Sequence, residues 1–497
     1  MAILHFSLWG LLVILAVSAA LWQLQLVVSL DSCGENSVTE SETLYALRNV
    51  RNGQALYHDF GRPPHVLTQY TPLFYYVPGI AARLLGAGEM QTYVIGRWCT
   101  YGAWLGVGFL IFGLGRQFGA NARWSLLAAL FWLSADLAPR WANSYRPDAM
   151  ALCGSLLAIW LYQLPMAPKW RWAIPAVLVI AFLHKQSTIA AALALMTEAV
   201  ATRCYKRAVG LMGALLVAAV LVLALGHWAT GGVFETNVLF SLARLNLAAL
   251  PWYFVMALAR GAPVFTGAAF ESTIGVGGGR IRLARNYFAL ALALAVVSSA
   301  KAGANLNYYL EPFAVACILT AVAGTEWQEA VGGRQWLIVA WVGLAFAWSL
   351  NGLAGQISRA PSLFRNIVHH RQERQRQQKG WDSVAAPLRH QPWPVLMEDP
   401  YLTLFMGETP YLMNAGNFGS MAQTGSFDDQ ELRQRIVNKD FSVIVANFPL
   451  DEEVRGRAFP PRWREPMVEH YTLTETVTVP ALDKQFYFYR PKSGRDG

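Results

Sequence analysis

Charge is scarce in this chain: only 14% of its 497 residues are Asp, Glu, Lys or Arg, against 55% hydrophobic, and the mean hydropathy is +0.31. That balance lies far from an ordinary soluble domain, and several windows exceed the ~18 apolar residues that cross a bilayer. Cysteine is scarce too. Cys99, Cys153, Cys204 and Cys317 fall in or beside apolar stretches and Cys33 stands alone, so neither a disulfide framework nor a zinc site is indicated. His184 has no matched cluster of His, Asp or Glu around it in sequence, which argues against a metal site there. No internal repeat is visible. The N-terminal stretch Phe6 to Leu30 lacks a Lys/Arg-bearing start and outruns the apolar core of a signal peptide, about 7–15 residues. Although Val17-Ser18-Ala19 resembles a cleavage site, an uncleaved first span is the better reading. The formal charge of +9 is dispersed over short loops rather than clustered on a soluble surface, so the partner is membrane lipid and not nucleic acid.

What is present is a series of apolar segments: 6–30, 91–114, 122–138, 148–164, 172–184, 187–202, 208–229, 249–270, 286–300, 309–324 and 335–353. These about eleven spans predict a polytopic α-helical membrane protein. Several are short, which is tolerable where neighbouring helices bury the adjoining polar loop or where it lines a wet cavity. With the N-terminus inside, alternate loops carry Arg116 and Arg123, Lys169 and Arg171, Arg203, Lys206 and Arg207, Arg280, Arg282 and Arg285, then Arg334. Every one is basic, as the positive-inside rule expects. Residues 354–393 follow as a basic linker or interfacial helix, with Arg365, Arg371, Arg374, Arg376 and Lys379. From 394 to 491 the pattern is that of a small soluble α/β domain. Its expected strands lie at 395–397, 442–446, 471–479 and 485–490, with a helix over Asp428 to Asn438. Placed outside the cytoplasm, this domain reads as a substrate-side lid or docking module without a catalytic motif of its own.

The other set of loops holds Glu40, Arg146-Pro147-Asp148, His184-Lys185-Gln186 and Lys301 to Glu311. Carboxylates, amides and cations gathered on one membrane face indicate a site there. The first such loop, 31–90, is the richest: Thr39-Glu40-Ser41-Glu42, a short helix ending at Asn52-Gly53, Tyr57-His58-Asp59-Phe60, and Tyr70-Thr71-Pro72-Leu73-Phe74-Tyr75-Tyr76. A carboxylate at the mouth of an apolar cavity is poorly solvated, so its basicity rises and it can act as a general base. Glu40 and Glu42 read equally well as acidic first-turn residues of that helix. Lys185 is either a functional cation at membrane depth or an interfacial anchor. Arg146 and Asp148 can pair with each other across Pro147, Arg97 can serve as an ion-pair partner or a phosphate contact, and Asn307, Tyr308 and Glu311 can bind sugar hydroxyls or cap a helix. The Gly275 to Arg280 run resembles a phosphate loop only superficially; it follows no expected strand and reads as a connector.

The order of these pieces resembles the GT-C superfamily of integral-membrane glycosyltransferases, in the broad group of aminoarabinose, mannosyl and lipopolysaccharide-core transferases. The likeness runs over roughly residues 1–325, through Glu40, Asn52-Gly53, Asp59-Phe60, the Tyr70 to Tyr76 run, Gly96-Arg97, Tyr145 to Asp148, Lys185-Gln186 and Asn307 to Glu311. It implies a catalytic membrane domain over 1–353 that transfers a sugar from a polyprenyl-phosphate carrier to an acceptor outside the cytoplasm, with inversion, in a bacterial inner membrane. The acceptor class is an envelope glycolipid, a polysaccharide or a protein. The family usually shows Asp-Glu or Glu alone at the first-loop base. Here Thr39 takes the Asp position and Glu40 the Glu position, so Glu40 is the expected base and Glu42 the reserve, and any role needing two adjacent carboxylates, metal binding included, is in doubt. Lys185 and Arg146 would stabilise the departing phosphate, with Tyr70, Arg97, Asp148, Gln186, Asn307, Tyr308 and Glu311 as further substrate contacts. The competing reading is a lipid or solute carrier with a polar cavity at the outer surface.

Overall fold

In the computed structural model the described residues run from 2 to 492, apart from 38, 136, 138–140, 166, 240–245, 275–277, 302–303, 330–334 and 453–457. Gly275, Val276, Gly277 and Arg334 thus lie outside the described residues.

The first part of the chain is helical. It comprises α1 (Ala2–Ser29), α2 (Glu40–Asn52), α3 (Leu73–Leu84), α4 (Glu89–Gln117), α5 (Ala122–Ser134), α6 (Asp148–Gln163), α7 (Ala173–His184) and α8 (Ala190–Ala201). It continues with α9 (Tyr205–Thr230), α10 (Val233–Val238), α11 (Leu250–Arg260), α12 (Ala262–Ile274), α13 (Gly278–Ser299), α14 (Leu310–Glu329) and α15 (Gln335–Val368). Among the described residues six helices are long and apolar enough to cross a membrane, or seven if α11 and α12 count as one broken span. The remaining expected spans exist as shorter helices: α5, α6, α7 and α8 have 13, 16, 12 and 12 residues. The chain is a multi-pass membrane protein. Helix α9 is apolar and buries none of its residues against the protein, as a lipid-facing helix does.

The expected span 249–270 is bent in its middle. α11 and α12 meet at 89°. Pro263 sits in the first turn of α12, where its missing N–H costs nothing, and hydropathy is blind to such a break. Backbone carbonyls at the corner still need donors inside a membrane. The Trp348 indole N–H supplies one to Arg260 O at 3.1 Å, and that of Trp341 another to Pro263 O at 2.7 Å.

Small residues let the helices approach. A Cβ on Gly267 would stand 2.6 Å from Thr320, and one on Gly324 would stand 2.3 Å from Trp124, so α12 and α5 press directly on α14. At one end of the bundle the basic loops are tied down by the ion pairs Arg282–Glu198 and Arg285–Glu271. The other end carries α2, α3 and the C-terminal domain.

The helix expected to end at 353 continues to Val368 and is followed by α16 (His370–Ala385). His370 and Arg374 both reach Asp31, at 2.9 Å each, and the Trp381 indole donates to Cys33 O at 2.9 Å. The domain beyond contains β1 (Leu396–Met397), α17 (Pro400–Met406), α18 (Ala415–Gln423), α19 (Gln430–Val437), β2 (Ile444–Ala446), α20 (Pro461–His470), β3 (Tyr471–Val479) and β4 (Lys484–Pro491). Its sheet has the order β1-β2-β4-β3, with β1 parallel to β2 and the other pairs antiparallel. The four strands match their expected positions; α17, α18 and α20 were not expected.

Candidate functional site

The site is built from the turn between α1 and α2. Asn36 folds that turn back, donating through its amide to Ser29 O at 2.9 Å and to Asn143 O at 2.7 Å. Thr39 then takes φ +64°, a left-handed conformation unusual for a β-branched residue, and Glu40 opens α2. Thr39 makes no side-chain cap bond to the helix. At the far end Gly53 adopts φ +72° and closes α2 in the expected way.

Glu40 is fully buried and its two oxygens accept four hydrogen bonds. Arg97 donates twice, at 2.9 and 3.0 Å, and the backbone amides of Asn36 and Tyr145 donate at 2.6 and 2.7 Å. Arg97, on α4, spends its remaining N–H groups on the carbonyls of Leu30, Ser32 and Gly34, at 3.2, 2.9 and 2.6 Å. Arg97 is therefore the ion-pair partner of Glu40, and the pair knots three chain segments together. An ionised acceptor already filled in this way has little capacity left for a substrate proton.

Two residues along a helix rotate a side chain by about 200°, so Glu42 points to the opposite face of α2. There it is buried, and Oε1 accepts one hydrogen bond, from Asn417 Nδ2 of the C-terminal domain at 2.7 Å. Burial pushes the Glu42 carboxyl up to about 7; the nearby Glu35 carboxyl adds to this, while Asn417, Arg146 and Asn414 oppose it. Glu35, missed in the sequence, is likewise raised to about 7 by burial, and accepts from Ser41 N at 2.7 Å.

Arg146 is held by hydroxyls: Ser37 Oγ at 3.1 Å, Thr39 Oγ1 at 2.8 Å and the Tyr70 phenol at 3.5 Å. Its guanidinium lies 5.8 Å from the Trp141 ring centre. Asp148, expected as its possible partner across Pro147, pairs instead with Lys185, whose Nζ lies 2.6 Å from Asp148 Oδ1. Asn307 Nδ2 donates to the same oxygen at 2.7 Å, and Lys185 also sits 5.0 Å from the Tyr308 ring centre. Burial works against the Lys185 charge, and Asp148 together with the Tyr308 and Tyr70 phenols more than offsets it, so the ammonium pKa is raised. Asp148 Oδ2 is buried with no hydrogen-bond partner among the described residues. Asp148, Lys185, Asn307, Tyr308 and Glu311 line one small pocket, where Glu311 accepts from the Tyr287 hydroxyl at 2.7 Å. Tyr70 lies within electrostatic reach of both Arg146 and Lys185, joining this pocket to the Glu42 side. Gln186 is different: its amide ties down the carbonyls of Gln69 at 2.8 Å and Val238 at 3.3 Å.

Lys301, half-buried, stands close enough to Lys185 for that charge to reinforce burial in lowering its pKa. Among the described residues no three His, Cys, Asp or Glu side chains lie together as a metal site would need. A larger apolar groove of about 340 Å³, lined in part by Tyr162, Trp172, Arg171 and Arg207, opens among the basic loops at the other end of the bundle. It brings together none of the candidate residues. Asn414 and Asn417 carried no local sequence signal, being a turn and a helix start in a domain that reads as soluble.

No family model and no curated protein matches this sequence. Solved structures do match. The chain is similar to ArnT from Cupriavidus metallidurans in the apo state, with 14% identity, 96% of this chain and 97% of that one covered, and a TM-score of 0.58. The same protein bound to undecaprenyl phosphate gives 14% identity, 97% and 98% coverage and a TM-score of 0.60. The arabinofuranosyltransferase AftD from Mycobacteria gives 15% identity over 97% of this chain and 40% of that one, with a TM-score of 0.51. The chain shares the fold of ArnT, over its helical part and its C-terminal domain alike.

Proposed function

We propose that this protein is an inverting membrane glycosyltransferase that moves a sugar from a polyprenyl-phosphate-linked donor to an acceptor outside the cytoplasm. One observation carries the reading: a buried carboxyl with a pKa near neutrality, Glu42, adjoins Arg146 and, through Tyr70, the Lys185–Asp148 pocket, all at one end of a bundle with this fold. A neighbour of that fold binds undecaprenyl phosphate, which agrees with a lipid phosphate as the leaving group here.

Of the two carboxylates, Glu42 is assigned as the base, because Glu40 is committed to Arg97. In the step proposed, Glu42 takes the proton of an acceptor hydroxyl as that oxygen bonds to the anomeric carbon. The bond from that carbon to the phosphate oxygen breaks on the opposite face, and the electron pair leaves with the lipid phosphate. Arg146 and Lys185 stabilise the growing phosphate charge. Asp148 and Asn307 hold the Lys185 ammonium, while Tyr308, Glu311 and Tyr70 face the sugar. Arg97 and Gln186 position the loops that carry these groups. The acceptor class is an envelope glycolipid, a polysaccharide or a protein.

The test is sugar transfer by the purified protein from a panel of polyprenyl-phosphate sugars, with E42Q alongside. Donor cleavage by the wild type and its loss in folded E42Q are expected. If no donor is cleaved, the enzyme reading falls and the carrier reading takes its place. If E42Q transfers at the wild-type rate, Glu42 is not the base.

A further inference from the structure

Among the charged and polar groups around Glu42, two come from the C-terminal domain, far along the chain. Arg146, Glu35 and Tyr75 reach it from the membrane domain and its first loop. Asn414 and Asn417 reach it from the C-terminal domain, and Asn417 Nδ2 donates to Glu42 Oε1 at 2.7 Å across 375 positions of sequence, the Asn414 side chain acting in the same sense.

That contact is built rather than incidental. Asn414 caps α18, its Oδ1 accepting from Asn417 N at 3.0 Å, which fixes where the Asn417 side chain starts. Just before it, the segment Tyr411 to Met413 lies as a short parallel bridge on the first loop. His65 N donates to Tyr411 O at 2.9 Å, and Met413 N donates to His65 O at 3.0 Å. The His65 ring is itself enclosed by Tyr411, Phe418 and Phe427, at centroid distances of 5.2, 6.0 and 5.0 Å. The turn that carries Asn417 is thus clamped before and after the residue to the loop that carries Glu42.

We propose that the C-terminal domain completes the site by supplying Asn417 as the positioning residue of the Glu42 carboxyl, so that seating of the domain governs whether that carboxyl can accept a proton. The inference rests on the function proposed above. An amide N–H favours the ionised form of a carboxyl it donates to, and a buried carboxyl deprived of that donor holds its proton to higher pH. Asn417 thereby keeps a desolvated carboxyl in a state that can take a proton.

The experiment titrates the Glu42 carboxyl band by difference infrared spectroscopy on the full-length protein in lipid nanodiscs, with E42Q identifying the band, and measures the pH profile of kcat/KM on the same samples. In wild type the midpoint is expected near 7. In N417A both the infrared midpoint and the acidic limb of the profile move up by about one pH unit, a tenfold loss of transfer at fixed pH below the limb. N417D, which sets a second carboxylate against the first, moves them further. N417Q, which keeps the donor, returns them toward wild type. If N417A does not fold, N417D and N417Q decide between the same outcomes. A Glu42 midpoint that is the same in wild type and N417A overturns the inference, whatever the rate of transfer. A shifted midpoint with full transfer by E42Q upholds the contact and overturns instead the assignment of Glu42 as base.

Discussion

At the scale of single residues, the contrast between Glu40 and Glu42 is one of partners. Glu40 meets a guanidinium and two backbone amides in four short hydrogen bonds; Glu42 accepts from the neutral Asn417 amide, with Arg146, Glu35 and Asn414 acting on it as well. A base must be ionised to act, so transfer is expected to rise with pH through about 7 and then level off, following Glu42. E42Q is expected to lower kcat by roughly 10²–10⁴-fold, as loss of a general base does. Stability follows the opposite sign. A carboxyl whose folded pKa is raised from 4.5 to about 7 stabilises the fold below pH 4.5 and loses that contribution as pH rises through 7. E42Q should therefore melt at a higher temperature than wild type at pH 8 while being inactive, which a thermal scan in detergent would check. E40Q or R97A leaves one buried charge without its partner, at a cost of roughly 3–5 kcal/mol, visible as a lowered melting temperature, and the double variant should cost less than the two singles together. Unchanged melting in both singles would remove the knot assigned to this pair. Sequence alone brought attention to both carboxylates, as first-turn residues of one helix, with Glu40 preferred over Glu42 as base. Which face meets Arg97, 57 residues on, is decided by packing between helices, and no local pattern carries it.

At the scale of elements, the short helix α2 crosses α4 at Gly96. A Cβ there would lie 2.7 Å from Leu47 and 2.9 Å from the Tyr145 ring. Leu47 can turn aside. Tyr145 cannot, because its ring stacks on Phe74 at 4.2 Å and its hydroxyl donates to Phe74 O at 2.5 Å. G96A is expected to cost about 1–3 kcal/mol by overpacking and to displace the Tyr145 amide from Glu40. G102A, on the same helix with nothing within 4 Å of the added methyl, should leave the melting temperature unchanged or raise it. Equal behaviour of the two variants would mean that the crossing has slack. Elements with a strong local period were legible: the strands at 471–479 and 485–490 alternate, and α2 ends at its Asn-Gly. The break between α11 and α12 was not, since apolar residues continue on both sides and only Gly261 and Pro263 mark it. The clamp of α16 on Asp31 was hidden for another reason. Its basic residues read equally as a solvated run or an interfacial helix until the partner, 339 positions earlier, is known.

At the scale of the whole molecule, four contacts join the C-terminal domain and α16 to the segment from the turn after α1 into α2: Asn417 to Glu42, His370 and Arg374 to Asp31, and Trp381 to Cys33 O. The domain and the carboxyl–cation cluster therefore share one end of the bundle, and the side of the membrane on which the domain stands is also the side of the site. Composition gives the expectation for that side. The loops at the other end are basic, at Arg116, Lys206, Arg207, Arg282 and Arg285 among others, and short basic loops stay in the cytoplasm. A cysteine placed at exposed Ser426, in a chain whose five native cysteines are replaced, is expected to react with a membrane-impermeant maleimide in intact cells. One placed at exposed Lys206 should react only after the membrane is opened. The reverse pattern would put the domain in the cytoplasm and Glu42 with it. It would remove the extracytoplasmic acceptor from the proposed reaction, yet leave the carboxyl, its amide donor and the two cations in the same mutual geometry.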